Sequence, residues 1–328
     1  MRRLLDRSPI DGFVLSILLA VVVAAILPAE GAFAGVMDWV VTILIALLFF
    51  LYGARLHPRE ALEGLTHWRL HLMILTFTFI AFPLVGLVLK PALAPIIGDE
   101  LAQGMLYLTL VPSTVQSSIA FTSIARGNVP GAIVSASASN LIGVFLTPLL
   151  VVVLMGSGAG VQITGSSVTK ILLEILVPFL VGQLCRPLIA GFLGRYAAPT
   201  KYVDRSSIVV VVYVAFSEGV VSGMWSIVSA WDVVIVTVVS TVFVIGMLLL
   251  TRWVPTRMGF DRGDTIAVQF CGSKKSLATG LPLASVMFLG GSVGYIVLPL
   301  MIFHQVQLIL CSMLASRYER QALAADGS

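Results

Sequence analysis

Charge is scarce in this chain. Asp, Glu, Lys and Arg make up 11% of the 328 residues, where soluble domains carry about a quarter. With 58% hydrophobic residues and a mean hydropathy of +1.03, that scarcity excludes a soluble globular protein and leaves an integral membrane protein. Cysteine is scarcer still. Cys185, Cys271 and Cys311 fall in or beside apolar runs with no metal-ligand spacing, which excludes a disulfide framework and a cysteine metal centre. Catalytic signatures are missing as well. The absence of His-Glu-x-x-His, of Gly-x-Ser-x-Gly and of a phosphate-binding glycine loop argues against an enzyme or a nucleotide-driven pump. No catalytic residue, metal or cofactor is expected. The net charge of +4 is spread between apolar segments and forms no basic patch, so nucleic acid is not an expected partner.

What is present is a series of ten apolar stretches, against the roughly 20 residues that a bilayer crossing needs. They run Ile10–Leu27, Val36–Leu56, Trp68–Leu89, Leu101–Ile124, Val129–Met155, Val168–Leu193, Ile208–Trp225, Val233–Val254, Thr265–Leu289 and Val293–Ser316. The first has a basic start (Arg2, Arg3, Arg7) and an Ala32-Phe33-Ala34 step, but its apolar run exceeds a signal-peptide core, so it is read as a retained span. Basic residues set the orientation. With the N-terminus inside, sixteen of the 20 Lys and Arg residues lie on the inner side, Lys90 and Lys170 lie outside, and two are intramembrane. Both termini are therefore expected in the cytoplasm.

Those two intramembrane cations are adjacent: Gln269-Phe270-Cys271-Gly272-Ser273-Lys274-Lys275-Ser276, with Pro282 further on. A charge at bilayer depth costs several kcal/mol and normally faces protein or a wet cavity. The stretch reads as a helix interrupted inside the membrane. Span four has an equivalent stretch, Val111-Pro112-Ser113-Thr114-Val115-Gln116-Ser117-Ser118, and spans five and ten each carry a proline, Pro148 and Pro299. Ten spans divide into five plus five, and an odd-numbered repeat must invert its topology. Paired interruptions at corresponding places point to a midplane binding site. The expected fold is thus an all-α polytopic membrane protein, with two inverted five-helix repeats over 1–160 and 161–328 and discontinuous crossing helices four and nine.

Several residues could carry chemistry. Gln116, Ser117 and Ser118 follow the first break, where a half-helix N-terminus suits an anionic group. Serines also pack helices closely in lipid, so each alone has a structural reading. Ser135 and Asn140 continue the polar set on span five, and Gln269 and Ser273 sit one helical turn apart on span nine. Three roles compete for Lys274 and Lys275: binding an anionic substrate, occupying the place of a cation, or pairing with Glu218. Glu218, mid-span on span seven, is either such an ion-pair partner or a proton-coupling carboxylate. His304, Gln305 and Gln307 add polar groups to span ten.

These residues resemble the bile acid:sodium symporter family. The signs are Pro112 with its hydroxyl-rich break, Ala125-Arg126-Gly127-Asn128-Val129, Thr147-Pro148, and the second break in span nine. Gly272-Ser273-Lys274-Lys275-Ser276-Leu277-Ala278 is similar to the symporter-like branch, which includes the vertebrate seventh member of solute carrier family ten. The resemblance implies panel and core domains, each assembled from both repeats, alternating access, an organic-anion substrate and often sodium coupling. It also implies sodium ligands that this chain lacks. A glutamate followed by Gln-Asn is replaced by Gln269, Ser273 and Lys274; a Ser-Asn pair falls on Ser117-Ser118; expected hydroxyls fall on Ala132 and Ala136; and span three has no glutamine. A lysine there would repel sodium. Lys274 is accordingly expected to stand in for a bound cation.

The sequence therefore points to a secondary transporter of a small organic anion in the cytoplasmic (inner) membrane, with degenerate sodium sites. Na+ and H+ are the candidate coupling ions. Two alternatives stay open: an ordinary sodium-coupled symporter, and a membrane-embedded regulatory or binding protein without a transport cycle.

Overall fold

The structure, a computed structural model, describes residues 12–55, 67–155, 173, 177–221, 223, 228–288 and 292–326. Glu174, Lys170 and the start of span six at Val168 lie outside them, as do Arg2, Arg3 and Arg7. Every element among the described residues is a helix. In chain order they are α1 (Gly12–Ile26), α2 (Gly31–Arg55), α3 (Trp68–Thr76), a π-helical turn (Phe77–Ala81), α4 (Phe82–Ile97), α5 (Asp99–Leu110), α6 (Val115–Ile124), α7 (Val129–Met155), α8 (Val177–Arg195), α9 (Ala197–Val221), α10 (Ala230–Arg257), α11 (Arg262–Gly272), α12 (Leu277–Met287) and α13 (Ser292–Asp326).

Among the described residues, five helical runs are long and apolar enough to cross a membrane: Gly31–Arg55, Trp68–Ile97, Val129–Met155, Ala230–Arg257 and Val293–Ala324. Shorter apolar helices are Leu15–Ile26 and Val177–Ile189. Their outward faces are greasy: Leu184 and Leu188 on α8 are 79% and 85% exposed, and Trp231 on α10 and Val88 on α4 are also exposed. In water such surfaces would aggregate; against acyl chains they need no protein partner.

Helix bounds outrun the apolar runs at several ends. α9 starts at Ala197, ahead of the expected Ile208, and α13 continues past Ser316 to Asp326. Backbone hydrogen bonding does not require apolar side chains, so a helix continues into polar surroundings until a stop signal. α4 runs past the expected Leu89 to Ile97 and stops at Gly98, whose φ of 82° favours glycine.

The chain divides into two compact units. The first comprises 1–57, 155–229 and 281–297. Within it α2 packs on α8, and α9 packs on α1 and α2. The α2–α8 crossing is very close. A Cβ on Gly53 would lie 2.0 Å from the Phe179 carbonyl oxygen, and one on Gly182 would lie 2.0 Å from that of Phe50. Small residues let two backbones touch in this way. Arg55 and Asp204 form an ion pair in the same unit.

The second unit comprises 58–154, 230–280 and 298–328. Here α4 packs on α5, and α11 packs on α3, α6 and α10. Its centre is unusually polar for a membrane protein, with Thr109, Ser113, Ser118, Gln269, Lys274, Lys275 and Gln307 all buried. Each such group needs a partner, and that requirement organises the site.

Candidate functional site

Two interruptions lie inside the second unit. α5 ends at Leu110 and α6 begins at Val115; α11 ends at Gly272 and α12 begins at Leu277. Pro112 lacks an N–H and biases Val111 towards an extended conformation, and Val111 does have ψ of 156°. Each break frees backbone groups that a helix would have satisfied internally.

In the first break the five carbonyls from Thr109 to Ser113 each have a donor. Lys275 Nζ donates to the carbonyls of Thr109 (2.7 Å) and Val111 (2.8 Å). Thr147 Oγ1 donates to Leu110 (2.9 Å), the Ser276 N–H to Pro112 (2.8 Å), and Asn140 Nδ2 to Ser113 (2.6 Å). The Ser113 N–H goes to Ser139 Oγ at 3.1 Å. The second break is held the same way. Ser118 Oγ donates to the Phe270 carbonyl (3.1 Å) and Ser113 Oγ to that of Cys271. Gln307 grips Lys275 with both ends of its amide: Oε1 accepts from the Lys275 N–H and Nε2 donates to the Lys275 carbonyl, each at 2.9 Å. Thr114 Oγ1 donates to that same carbonyl at 2.8 Å. Ser276 caps α12 by accepting from the Thr279 N–H, and Thr279 Oγ1 donates to Asn140 Oδ1 at 2.7 Å. The two breaks are thus stitched to each other and to α7 and α13.

The adjacent lysines have opposite surroundings. Lys275 Nζ has a third acceptor, the Thr78 carbonyl, at 2.8 Å, and lies 4.3 Å from the Phe82 ring centroid. The π-turn explains why that carbonyl is available. The Phe82 N–H reaches back to Phe77 rather than Thr78, and the next residue able to serve Thr78 in a π register is Pro83, which has no N–H. Lys274 Nζ is also fully buried, yet has no hydrogen-bond partner among the described residues. It sits 3.8 Å from the centroid of Phe121 on α6 and 5.7 Å from that of Phe270. Ser117 Oγ and Thr122 Oγ1, on either side of Phe121 in α6, are likewise without partners.

The remaining sequence candidates fall into place around this centre. Gln116 is exposed on the first turn of α6. Ser135 meets His71 Nδ1 at 2.6 Å. Gln269 donates to the Leu248 carbonyl (2.8 Å) and accepts from Tyr318 OH (2.9 Å), while Ser273 Oγ back-bonds to the Gln269 carbonyl. Glu218 is half-buried on α9, within the first unit. His304 Nδ1 is 2.8 Å from Gln307 Nε2 and therefore serves as an acceptor there. Sequence reasoning missed Phe121, Thr122 and the three carbonyls around Lys275. Phe121, four residues after Ser117, was legible as a neighbour on the same helix face; the carbonyls carry no side-chain signal.

Comparison with known proteins bears on what this centre serves. A family model described as the SBF-like CPA transporter family matches residues 11–320. An uncharacterised protein of Pseudomonas aeruginosa is 49% identical over 311 residues, covering 95% of this chain and 93% of its own. YfeH of Escherichia coli K12, named as a candidate symporter, is 44% identical over 315 residues, covering 95% and 94%. Sodium/bile acid cotransporter 7 of the mouse is 30% identical over 319 residues, covering 95% and 93%.

Proposed function

Because the chain belongs to the SBF-like CPA transporter family, we propose that it is a secondary transporter of a small organic anion that works by alternating access without sodium coupling. It is an integral membrane transporter and not an enzyme, in line with its family and relatives. The observation that carries the anion reading is Lys274. Burying an ammonium costs several kcal/mol, and a cation–π contact returns only about 0.5–2 kcal/mol. Phe121 at 3.8 Å therefore leaves a deficit, and no acceptor among the described residues reaches Nζ. A carboxylate or sulfonate on a substrate would close it. Ser117 and Thr122 hydroxyls, unpartnered on the same helix as Phe121, would donate to the anion's remaining oxygens.

On this reading Ser117, Thr122 and Lys274 face the substrate, and Gln116, exposed on the first turn of α6, is a candidate for its approach. Ser118, Ser135, Asn140, Gln269, Ser273 and Lys275 hold the broken backbones in place, since their polar groups are already engaged. Lys274 is fully enclosed, so the transport cycle has to open the protein around it. The two breaks, each followed by a helix with a proline (Pro148 in α7, Pro299 in α13), support ten spans in two inverted repeats, 1–160 and 161–328. Glu218 is the candidate for a proton-coupling or ion-pair role. The bias of Lys and Arg supports cytoplasmic termini, and the bacterial relatives support the inner membrane.

The test is a thermal-shift screen of purified protein against small mono- and dicarboxylates and sulfonates, with Lys274→Met alongside. Stabilising anions then go to uptake in proteoliposomes under a sodium gradient, a proton gradient or neither. At least one anion should stabilise wild type and lose its effect in Lys274→Met, with uptake indifferent to sodium. Equal stabilisation of both proteins would remove Lys274 from the site, and uptake that requires sodium would overturn the coupling assignment.

A further inference from the structure

We propose that the carbonyls of Thr78, Thr109 and Val111 form a monovalent-cation site, and that this chain fills it permanently with the ammonium of its own Lys275. The inference deepens the sodium-independent part of the proposed function and rests on it there; its geometry stands apart from anion binding.

The geometry is that of an ion cage. Three carbonyl oxygens converge on Nζ at 2.8, 2.7 and 2.8 Å. They come from two separate irregularities of the backbone, the π-turn before α4 and the break after α5. Each has lost its helical donor for a local reason. Thr78 loses the Phe82 N–H to Phe77, and Pro83 cannot replace it. Thr109 would have used the Ser113 N–H, which is turned to Ser139. Val111 lies within the break, beyond the end of α5. Lys275 Nζ is bonded to all three oxygens, while Thr147, Asn140 and Ser276 serve the carbonyls between and beside them.

Number and chemistry also match. An ammonium has three donors, and a neutral amine two, so three acceptors call for the charged form. The Phe82 ring at 4.3 Å adds its negative face on another side. Dry, convergent backbone carbonyls are the ligands by which proteins replace the hydration shell of an alkali cation. A lysine in that place does permanently what a bound ion does transiently: it neutralises the carbonyl dipoles and ties α4 to the broken segment. A transporter built this way keeps its coupling-ion geometry but cannot release the ion. Sodium binding then has nothing to contribute to the cycle. The cage falls on Lys275, whereas the sequence resemblance had directed attention to Lys274.

The proposal requires that removing the tether opens a site for a free cation. Lys275→Ala, which vacates the cage, and Lys275→Met, which fills it without charge, are purified beside wild type. Thermal unfolding is followed in sodium, potassium, ammonium and methylammonium chlorides, each against N-methyl-D-glucamine chloride at equal ionic strength. Lys275→Ala should unfold several degrees higher in at least one of the small cations, saturating with concentration, while wild type and Lys275→Met stay within error of the control. A Lys275→Ala that folds yet ignores all four ions overturns the proposal, as does a wild type that responds as strongly as the variant. If Lys275→Ala does not fold, wild type labelled with 15N-lysine decides. The chain has five lysines, so the Lys275 signal is assigned by replacing Lys90, Lys170, Lys201 and Lys274 in turn. A slowly exchanging nitrogen split by three protons supports the caged ammonium, and a two-proton or rapidly exchanging nitrogen overturns it. None of these readouts uses a transported anion, so their failure leaves the assignment of Lys274 intact, and a failed anion screen leaves the cage intact.

Discussion

Gln307→Ala removes the clamp on the second break, and its effect can be worked out group by group. The Lys275 N–H loses its acceptor at 2.9 Å and is left buried, at about 1–3 kcal/mol. The Lys275 carbonyl loses the Nε2 donor but keeps Thr114 Oγ1 at 2.8 Å, so that loss is about 1 kcal/mol. Nε2 also donates to His304 Nδ1 at 2.8 Å, a bond worth about another 1 kcal/mol, so the sum is about 3–5 kcal/mol. Thr114→Val alone should cost about 1 kcal/mol, because Gln307 still serves the shared carbonyl. The double variant strips that carbonyl of both donors and should cost about 1–2 kcal/mol more than the two singles added together. Tryptophan fluorescence during thermal unfolding in detergent, at one fixed scan rate, reads all four corners of this cycle. The Gln307→Ala midpoint should fall by several degrees and the double variant by more than the sum. Strict additivity, or a Gln307→Ala midpoint equal to wild type, would refute the shared-carbonyl reasoning.

The other predictions concern the scaffold. Gly53→Ala and Gly182→Ala each drive a Cβ into a facing carbonyl oxygen, so both should abolish monodisperse folded protein on size-exclusion chromatography, whereas Gly191→Ala, with open space at its Cβ, should elute as wild type. Asn128→Ala loses the cap on the Gly131 N–H (2.8 Å) and the bond to Asp264 (2.6 Å); about 0.5–2 kcal/mol of stability should go with the cap alone, read as a lower unfolding midpoint. Tyr318→Phe leaves Gln269 Oε1 buried without its donor and should cost about 1–3 kcal/mol, while Gln269 keeps its bond to Leu248; an unchanged midpoint would mean that the α11–α13 link through this pair is not formed.

Much of the architecture could be read in the sequence because its causes are local. Pro112 and the Gly272-Ser273 step marked the breaks to within a few residues, since a missing N–H and a flexible step act on their own neighbours. The start of α9 and the end of α13 were less legible, because apolarity ends where the lipid ends and the helix does not. Among the site residues, the polar cluster was visible but its division of labour was not. Ser117 and Ser118 are adjacent hydroxyls of the same kind, yet Ser118 Oγ is bonded to the Phe270 carbonyl and Ser117 Oγ has no partner among the described residues. One residue of helical rotation separates those outcomes, and only packing sets the rotation.

The sequence by itself determined the class of molecule, the positions of the two interruptions and the presence of buried cations, because composition, proline and charge act within a few residues of themselves. The tertiary structure alone decided which lysine is satisfied. Thr78 and Lys275 are 197 positions apart in the chain and Thr109 and Lys275 are 166 apart, and their contacts run through backbone oxygens that every residue type shares. A carbonyl becomes a ligand only when its own helix stops using it and a distant chain segment arrives beside it. Nothing in the identity of Lys274 and Lys275 distinguishes them; the ring of Phe121 beside one and three freed carbonyls around the other do.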